Sequence, residues 1–136
     1  GRFDQVMAAF HCLYKWAPAF HGGLSLVSDD NAATVLCPGE SVVKVDEHLA
    51  TGVCGLIPIG QPCREVRTEG LQWNLDGGGL SFGDFISSSN QIVDAGEELR
   101  VSVSDPLVLT YELDARKWPA WDSDEIELPV QKLLVQ

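Results

Sequence analysis

The chain has 136 residues, of which 45% are hydrophobic and 21% are charged. This composition predicts a single folded domain, residues 1–136, with a real hydrophobic core, and it excludes a disordered chain. Nine Lys and Arg against 20 Asp and Glu give a formal net charge of −11, which repels nucleic-acid phosphates, so we expect no nucleic-acid partner. The apolar runs are too short to span a bilayer and no signal-peptide pattern is visible, so we expect a soluble protein with no membrane partner.

An amphipathic helix is predicted at the start of the chain, over about residues 4–16. Apolar side chains recur there with gaps of three and four, the period of a helix with one buried face; they are Phe3, Val6, Met7, Phe10, Leu13, Tyr14 and Ala17. A stripe this broad must pack on the domain's own sheet or on a neighbouring subunit. Phe3, Met7, Phe10 and Tyr14 are therefore candidate contacts to a protein partner or a second copy, and the sequence leaves core and interface open.

After Gly23 the apolar period changes to two, which is typical of strands with one dry and one wet face. The clearest cases are "EELRVSVSD" and "LVLTYELD", separated by Asp105-Pro106, which predict consecutive antiparallel strands or a bend between two sheets. Frequent turn signals between the other β-leaning runs favour an antiparallel β-sandwich or barrel of about eight strands over residues 24–135. A last run, residues 125–135, predicts a terminal strand at an edge because it contains Pro129.

The stretch "WNLDGGGLSFGDF", residues 73–85, invites comparison with ligand-binding loops. A phosphate loop needs a helix after its glycines, and calcium loops need acidic positions that are missing here. Alternating apolar residues on both sides of Asp76-Gly77-Gly78-Gly79 instead predict the turn of a β-hairpin. The nearby run Ser87–Asn90 is interpreted as a loop.

The four cysteines, Cys12, Cys37, Cys54 and Cys63, lack the spacing of a structural zinc site. Two disulfides remain an alternative, but buried thiols are favoured. We expect neither a metal nor a cofactor.

No catalytic motif stands out. A Cys-His pair could be assembled from His21 or His48 with Cys37 or Cys54, and adjacent carboxylates are frequent, but sequence neighbours in a strand point to opposite faces. We therefore expect a protein that is not an enzyme, with no catalytic residues.

The segment "KWPAWDSDE" is the most suggestive of a binding element. Trp118 and Trp121 flank Pro119, which prevents a regular strand, and four acidic residues follow. Tryptophans on a loop are often hot spots of protein interfaces, so both are candidate partner contacts. The alternative is that both rings cover an open end of the β core.

Together these features predict a non-enzymatic structural or protein-interaction module, of the kind found in virion or phage decoration and tail components. The first alternative is a small-ligand or carbohydrate-binding β domain that uses Trp73, Trp118 or Trp121 as stacking platforms. The second is a small hydrolase with a Cys/His or paired-carboxylate site.

Overall fold

The computed structural model describes residues 2–94, 96–114 and 116–117. The predicted fold class is confirmed, because the protein is mainly β, with two antiparallel sheets and one N-terminal helix. The predicted terminal strand, residues 125–135, lies outside the described residues. The elements are α1 (Phe3–Trp16), a 3-10 turn (Ala17–Ala19), β1 (Ser25–Val27), β2 (Asn31–Leu36), β3 (Gly39–Lys44), β4 (Ala50–Ile57), β5 (Val66–Glu69), β6 (Ser87–Gln91), β7 (Glu98–Val103) and β8 (Leu107–Leu113).

The two sheets form a sandwich whose central strands are consecutive in sequence. The larger sheet has the order β1-β2-β8-β4-β6, and the smaller sheet has the order β3-β7-β5. β7 therefore lies in the middle of one sheet and β8 pairs on both sides within the other, and Asp105-Pro106 is the bend between them. The sequence left this alternative open, and Pro106 explains it because proline cannot continue a central ladder.

The core lies between the sheets and is built largely by alternating residues of β3, β4, β5, β7 and β8. In β7 the residues Leu99, Val101 and Val103 are buried, and in β8 the residues Leu107 and Leu109 are fully buried. The same cluster contains Leu36, Val43, Leu56, Val66 and Leu80, among others. Burial of each such side chain stabilises the fold by about 1.5–3 kcal/mol, which is why the period of two specifies these strands.

The helix packs on the outer face of the larger sheet, where it forms a second apolar cluster. Leu13 and Ala17 are buried there against Ala33, Val35 and Val108. The predicted helix is confirmed with a start one residue earlier, at Phe3, and the 3-10 turn that contains Pro18 follows it. Within the described part of the chain, no helix has both the length and the apolar character needed to cross a membrane.

An ion pair fastens the bend between the sheets to the start of β5. The Arg64 guanidinium donates to the Asp105 carboxylate through Nε at 2.9 Å, and the Arg64 backbone N–H donates to the same carboxylate at 3.1 Å. The Ser104 hydroxyl donates to it as well, at 2.8 Å. These donors favour the charged carboxylate, so they lower the pKa of Asp105 from 3.8 to about 2, with the hydrogen bond from the Arg64 side chain as the largest cause.

The stabilising effect of Asp105 should depend on pH in one direction. Because its pKa is lower in the folded protein than in the unfolded chain, the effect is fully present above about pH 4 and is lost as the pH falls from about 4 towards 2. Denaturant midpoints of the wild type and Asp105→Asn should therefore differ at pH 6 and converge at pH 2. Asp84→Asn, at an exposed loop carboxylate, is the control; a gap at pH 2 as large as that at pH 6 would contradict this reading.

Candidate functional site

The segment between β5 and β6 folds back along β5 as an extended arm. Cys63 and Leu80 exchange backbone hydrogen bonds of 2.9 and 2.8 Å, and further bonds join Val66 to Gly77 and Gly78. The sequence predicted that the glycine run is the turn of a β-hairpin, and this prediction is wrong. The glycine run lies inside the arm, where a Cβ on Gly79 would come within 3.1 Å of the carbonyl oxygens of Cys63 and Arg64.

The actual turn lies before the glycine run, at residues 70–74, and it carries Trp73. Gly70 adopts a positive φ of 101°, a conformation that glycine reaches without a steric penalty. The Asn74 carboxamide oxygen accepts hydrogen bonds from the Leu71 N–H at 3.0 Å and from the Thr68 hydroxyl at 3.1 Å. The Trp73 side chain is 58% exposed at the tip of this turn, so its ring faces solvent.

The turn is attached to the end of β6, the edge strand of the larger sheet. The Gln72 N–H donates to the Gln91 carbonyl at 2.8 Å, and the Val93 N–H donates to the Gly70 carbonyl at 3.0 Å. The Asn90 side chain adds two bonds to the Trp73 peptide: it accepts from the Trp73 N–H at 3.3 Å and donates to the Trp73 carbonyl at 2.9 Å. We call residues 70–73 together with β6 the Trp73 edge.

A β-bulge interrupts the pairing of β6 with β4. Cys54 pairs with Asn90 and Leu56 pairs with Ser87. The same interval therefore spans two residues along β4 and three residues along β6. Within this interval Ser89 has a φ of 56°, a left-handed conformation that is uncommon outside glycine. Bulges and strained residues of this kind concentrate at functional sites, so the Trp73 edge is our candidate site.

A shallow depression of about 160 Å³ on the outer face of the larger sheet reaches the bulge. Ser88 and Ser89 line it on the side of β6, and Gly55, Thr110 and Glu112 line it from β4 and β8. The Glu112 carboxylate accepts a hydrogen bond from the Thr51 hydroxyl at 2.6 Å. The depression therefore offers hydroxyls and one carboxylate next to the bulge of β6.

Two more aromatic side chains are exposed on the same connection. Phe82 and Phe85 belong to a tight turn in which the Ser81 N–H donates to the Phe85 carbonyl at 2.9 Å. Both side chains are more than half exposed. Exposed aromatic residues on one connection provide flat apolar faces on which a heteroaromatic ligand can stack.

A second depression, of about 310 Å³, lies on the smaller sheet, but both of its arginines already contact carboxylates. Arg67 contacts Glu65 and Asp76, and Arg100 contacts Glu40 and Glu98. Because both guanidinium groups contact carboxylates, this depression is a cross-strand ladder of ion pairs and a weaker candidate for a site.

The partner contacts predicted on the helix do not form one continuous exposed surface. Phe3 is 89% exposed and Met7 is exposed, whereas Phe10 and Tyr14 pack partly against the outer face of the larger sheet. The sheet therefore covers the last turns of the stripe and leaves its first two turns open. Trp118 and Trp121 lie outside the described residues, so their role as partner contacts stays a prediction.

All four cysteines are free thiols, and only two of them are buried. Cys54 and Cys63 are buried, Cys37 is partly buried and Cys12 is exposed. Burial raises the pKa of the Cys54 thiol to about 11, so this thiol is protonated at neutral pH and is a poor nucleophile. Among the residues the structure describes, no three His, Cys, Asp or Glu side chains are grouped to hold a metal ion.

Sequence reasoning missed Ser89 and Asn90, because the run Ser87–Asn90 was interpreted as a loop. In the structure this run is most of an edge strand, and its Asn is buried. An Asn in a serine-rich stretch beside strand-forming residues is a signal that could have been used, since Asn and Ser often replace a lost backbone hydrogen bond with a side-chain one. Trp73 was named only as a stacking platform in an alternative reading.

Comparison with known proteins defines the class. Residues 40–108 match the family described as "Thiamin pyrophosphokinase, vitamin B1 binding domain". The chain is 33% identical to thiamine pyrophosphokinase 1 of Oryza sativa subsp. japonica over 114 residues, which are 83% of this chain and 41% of the rice protein. It is 29% identical to thiamin pyrophosphokinase 1 of Caenorhabditis elegans over 114 residues, covering 84% of this chain and 46% of the nematode protein.

The fold is also similar to that of solved thiamin pyrophosphokinases. The yeast structure superposes with a TM-score of 0.75 at 26% identity, over 86% of this chain and 38% of the yeast chain. The structure from Candida albicans, at 22% identity and a TM-score of 0.74, supports the fold alone. The described residues thus share with these structures the class of an antiparallel β-sandwich with an N-terminal helix. The chain belongs to the thiamin pyrophosphokinase vitamin B1 binding domain family.

This finding corrects the functional predictions made from the sequence. The expectation of a non-enzymatic structural or interaction module of the virion or phage type is wrong, because the matching family and the relatives are pyrophosphokinases. The expectation that the protein is not an enzyme is overturned by the same relatives. The two alternatives, a small-ligand or carbohydrate-binding β domain that uses Trp residues and a small hydrolase with a Cys/His or paired-carboxylate site, are not supported either, because the relatives are pyrophosphokinases. The chain spans less than half of the length of the curated relatives named above.

The strain at the bulge gives a test on two neighbouring serines. Ser88 and Ser89 are both exposed, but only Ser89 has a positive φ. A β-branched side chain is poorly tolerated in that conformation, so Ser89→Val should lower the free energy of unfolding by about 1–2 kcal/mol. Ser88→Val should change it by less than about 0.5 kcal/mol. Urea unfolding of both variants checks this; equal effects would argue against a strained Ser89.

Proposed function

We propose that this chain provides the thiamin-binding part of a thiamin pyrophosphokinase, with the Trp73 edge as the surface that contacts thiamin. The observation that carries the proposal is the exposed Trp73 ring on a backbone fixed to β6, within the residues that match a vitamin B1 binding family. Ligand sites combine a few apolar faces with a small number of placed polar groups. The Trp73 edge and the depression beside it supply both.

The chemistry of thiamin fits this surface. Thiamin has an aminopyrimidine ring and a cationic thiazolium ring, and a cation over the face of a tryptophan gains about 0.5–2 kcal/mol. The Glu112 carboxylate lines the adjacent depression, where it favours a positive charge. The net charge of −11 attracts a cationic ligand to the domain as a whole.

The surface is open, and we propose that pyrophosphoryl transfer requires a longer protein. Pockets that enclose a small molecule usually measure about 300–1,000 Å³, whereas the depression beside the bulge has about 160 Å³. The rice relative is more than twice as long as its match to this chain. We therefore assign thiamin recognition to the Trp73 edge and assign no residue of this chain to the transfer step.

Thiamin binding tests the proposal directly. Isothermal titration of the full chain with thiamin should show saturable binding, and Trp73→Ala should weaken it about tenfold, because the variant loses the stacking surface and the cation–π contact. Trp16→Ala is the matched control, since Trp16 is a similarly exposed tryptophan on the helix; it should bind thiamin as the wild type does.

Two outcomes would overturn the assignment. If the wild type shows no binding at millimolar thiamin, the proposed function fails for this chain. If Trp73→Ala and Trp16→Ala bind as tightly as the wild type, thiamin contacts a surface other than the Trp73 edge. Oxythiamin, in which the amino group of the pyrimidine is replaced, should compete for the same site because it keeps the thiazolium cation.

We also propose that the open first two turns of α1 are a protein contact, and that their occupant is a second copy of this chain. Phe3, Val6 and Met7 share one face and are exposed. Residues 1–20 carry only Asp4 against Arg2 and Lys15, so this end is where two copies of an acidic protein approach with the least repulsion. A near-neutral apolar patch of this kind is typical of interface cores.

Light scattering after size exclusion tests this contact. The wild type should have the mass of a dimer, and the double variant Phe3→Ser/Met7→Ser should have the mass of a monomer with unchanged circular dichroism. Gln5→Ser, on the opposite face of α1, should remain dimeric. A monomeric wild type, or a double variant that remains dimeric, would refute a contact through this face.

A further inference from the structure

Asn90 is a buried polar residue at the edge of the larger sheet, directly beside the exposed Trp73. Its exposed fraction is 4%, whereas its neighbours Ser88 and Ser89 are exposed. A buried amide is tolerated only when its polar atoms are paired, so the partners of Asn90 reveal what the residue does.

All four hydrogen-bonding positions of the Asn90 amide are used within the protein. Its oxygen accepts from the Trp73 N–H at 3.3 Å and from the Gln91 N–H at 2.8 Å. Its nitrogen donates to the Trp73 carbonyl at 2.9 Å and to the Ser87 hydroxyl at 3.2 Å. An asparagine side chain has two donors and about two acceptor positions, so no position remains free for a ligand.

The bulge explains how a residue of an edge strand turns its amide inward. Side chains alternate between the faces of a strand, and one extra residue moves every later side chain to the other face. The extra residue lies between Ser87 and Asn90, and Ser87 and Asn90 are both buried as a result. The strained φ of Ser89 is thus the local cost of bringing the Asn90 amide to the Trp73 peptide.

We infer that Asn90 is a positioning residue for thiamin recognition, which acts on the ligand only through Trp73. By bonding both the N–H and the carbonyl of Trp73, its amide fixes the peptide from which the indole projects. This inference rests on the proposed function, because it assigns to Trp73 the contact with thiamin. Asn90 itself does not touch the ligand.

A double-mutant cycle separates an indirect role from a direct one. Asn90→Ser should weaken thiamin binding about tenfold when Trp73 is present, because the indole loses its fixed orientation. In the Trp73→Ala background the same change should weaken binding less than about twofold, since the residue through which Asn90 acts is absent. Equal losses in both backgrounds would mean that Asn90 contacts thiamin itself, and the inference would fall.

A matched variant controls for general loosening of the fold. Thr34 is another buried residue whose side chain bonds the backbone, donating to the Leu24 carbonyl at 2.8 Å, and it lies at the other side of the larger sheet. Thr34→Val removes that hydrogen bond and should lower stability without changing thiamin binding. If Thr34→Val weakens binding as much as Asn90→Ser, the effect of Asn90 is structural only and the inference is wrong.

A readout without ligand distinguishes failure of this inference from failure of the proposed function. In protein labelled with 5-fluorotryptophan, the ¹⁹F resonance of Trp73 is identified by its loss in Trp73→Phe. Asn90→Ser should shift or broaden this resonance and leave that of Trp16 unchanged; an unchanged Trp73 resonance overturns the inference. If Asn90→Ser changes the Trp73 resonance but the wild type binds no thiamin, the proposed thiamin binding is wrong, whereas the positioning of Trp73 by Asn90 is still supported.

Asn90→Asp provides a second variant if Asn90→Ser does not fold. It keeps the shape of the side chain but replaces the NH₂ donor to the Trp73 carbonyl with a carboxylate oxygen. This oxygen and the carbonyl oxygen are both acceptors and repel each other. The same outcomes apply to its binding and to its ¹⁹F spectrum.

Discussion

The burial of the inward faces of β7 and β8 in one shared core is the constraint on which the rest of the fold depends. These two strands are joined only by Ser104-Asp105-Pro106, yet β7 is the centre of the smaller sheet and β8 is flanked on both sides in the larger one. Their leucines and valines therefore bring the two sheets together. The Arg64–Asp105 ion pair then connects the bend to the start of β5, which lies beside β7 in the smaller sheet.

The candidate site lies at the edge of this framework. β6 is at the edge of the larger sheet, where a bulge can interrupt pairing without opening the core. The turn that carries Trp73 has no strand of its own and obtains its position from β6 through backbone bonds and the Asn90 amide. Binding residues are commonly found on connections that a rigid sheet positions in this way.

The prediction of a non-enzymatic structural module failed because composition and charge describe the character of a surface but do not identify the ligand that it binds. The net charge of −11 excludes nucleic acid on physical grounds, but it is equally suited to solubility and to a cationic ligand such as thiamin. The glycine run allows close backbone approach beside Cys63, and the candidate residues Trp73 and Asn90 lie on either side of it in the sequence. Function belongs to such a site and not to the fold.

The sequence by itself determined the helix at the start, the alternating strands and an antiparallel β-sandwich or barrel, because these follow from the periods 3.6 and 2 over short windows. The choice of a sandwich with two separate sheets came from the tertiary structure. The sequence also offered a bend at Asp105-Pro106 as one of two alternatives, since proline lacks the N–H that a ladder needs. Only the tertiary structure decided that Ser87–Asn90 is an edge strand with a bulge, that Asn90 is buried against the Trp73 peptide, and that half of the helix stripe is covered. Each of these depends on which distant segments meet, and a contact between residues 73 and 90 leaves no periodic signal in the chain.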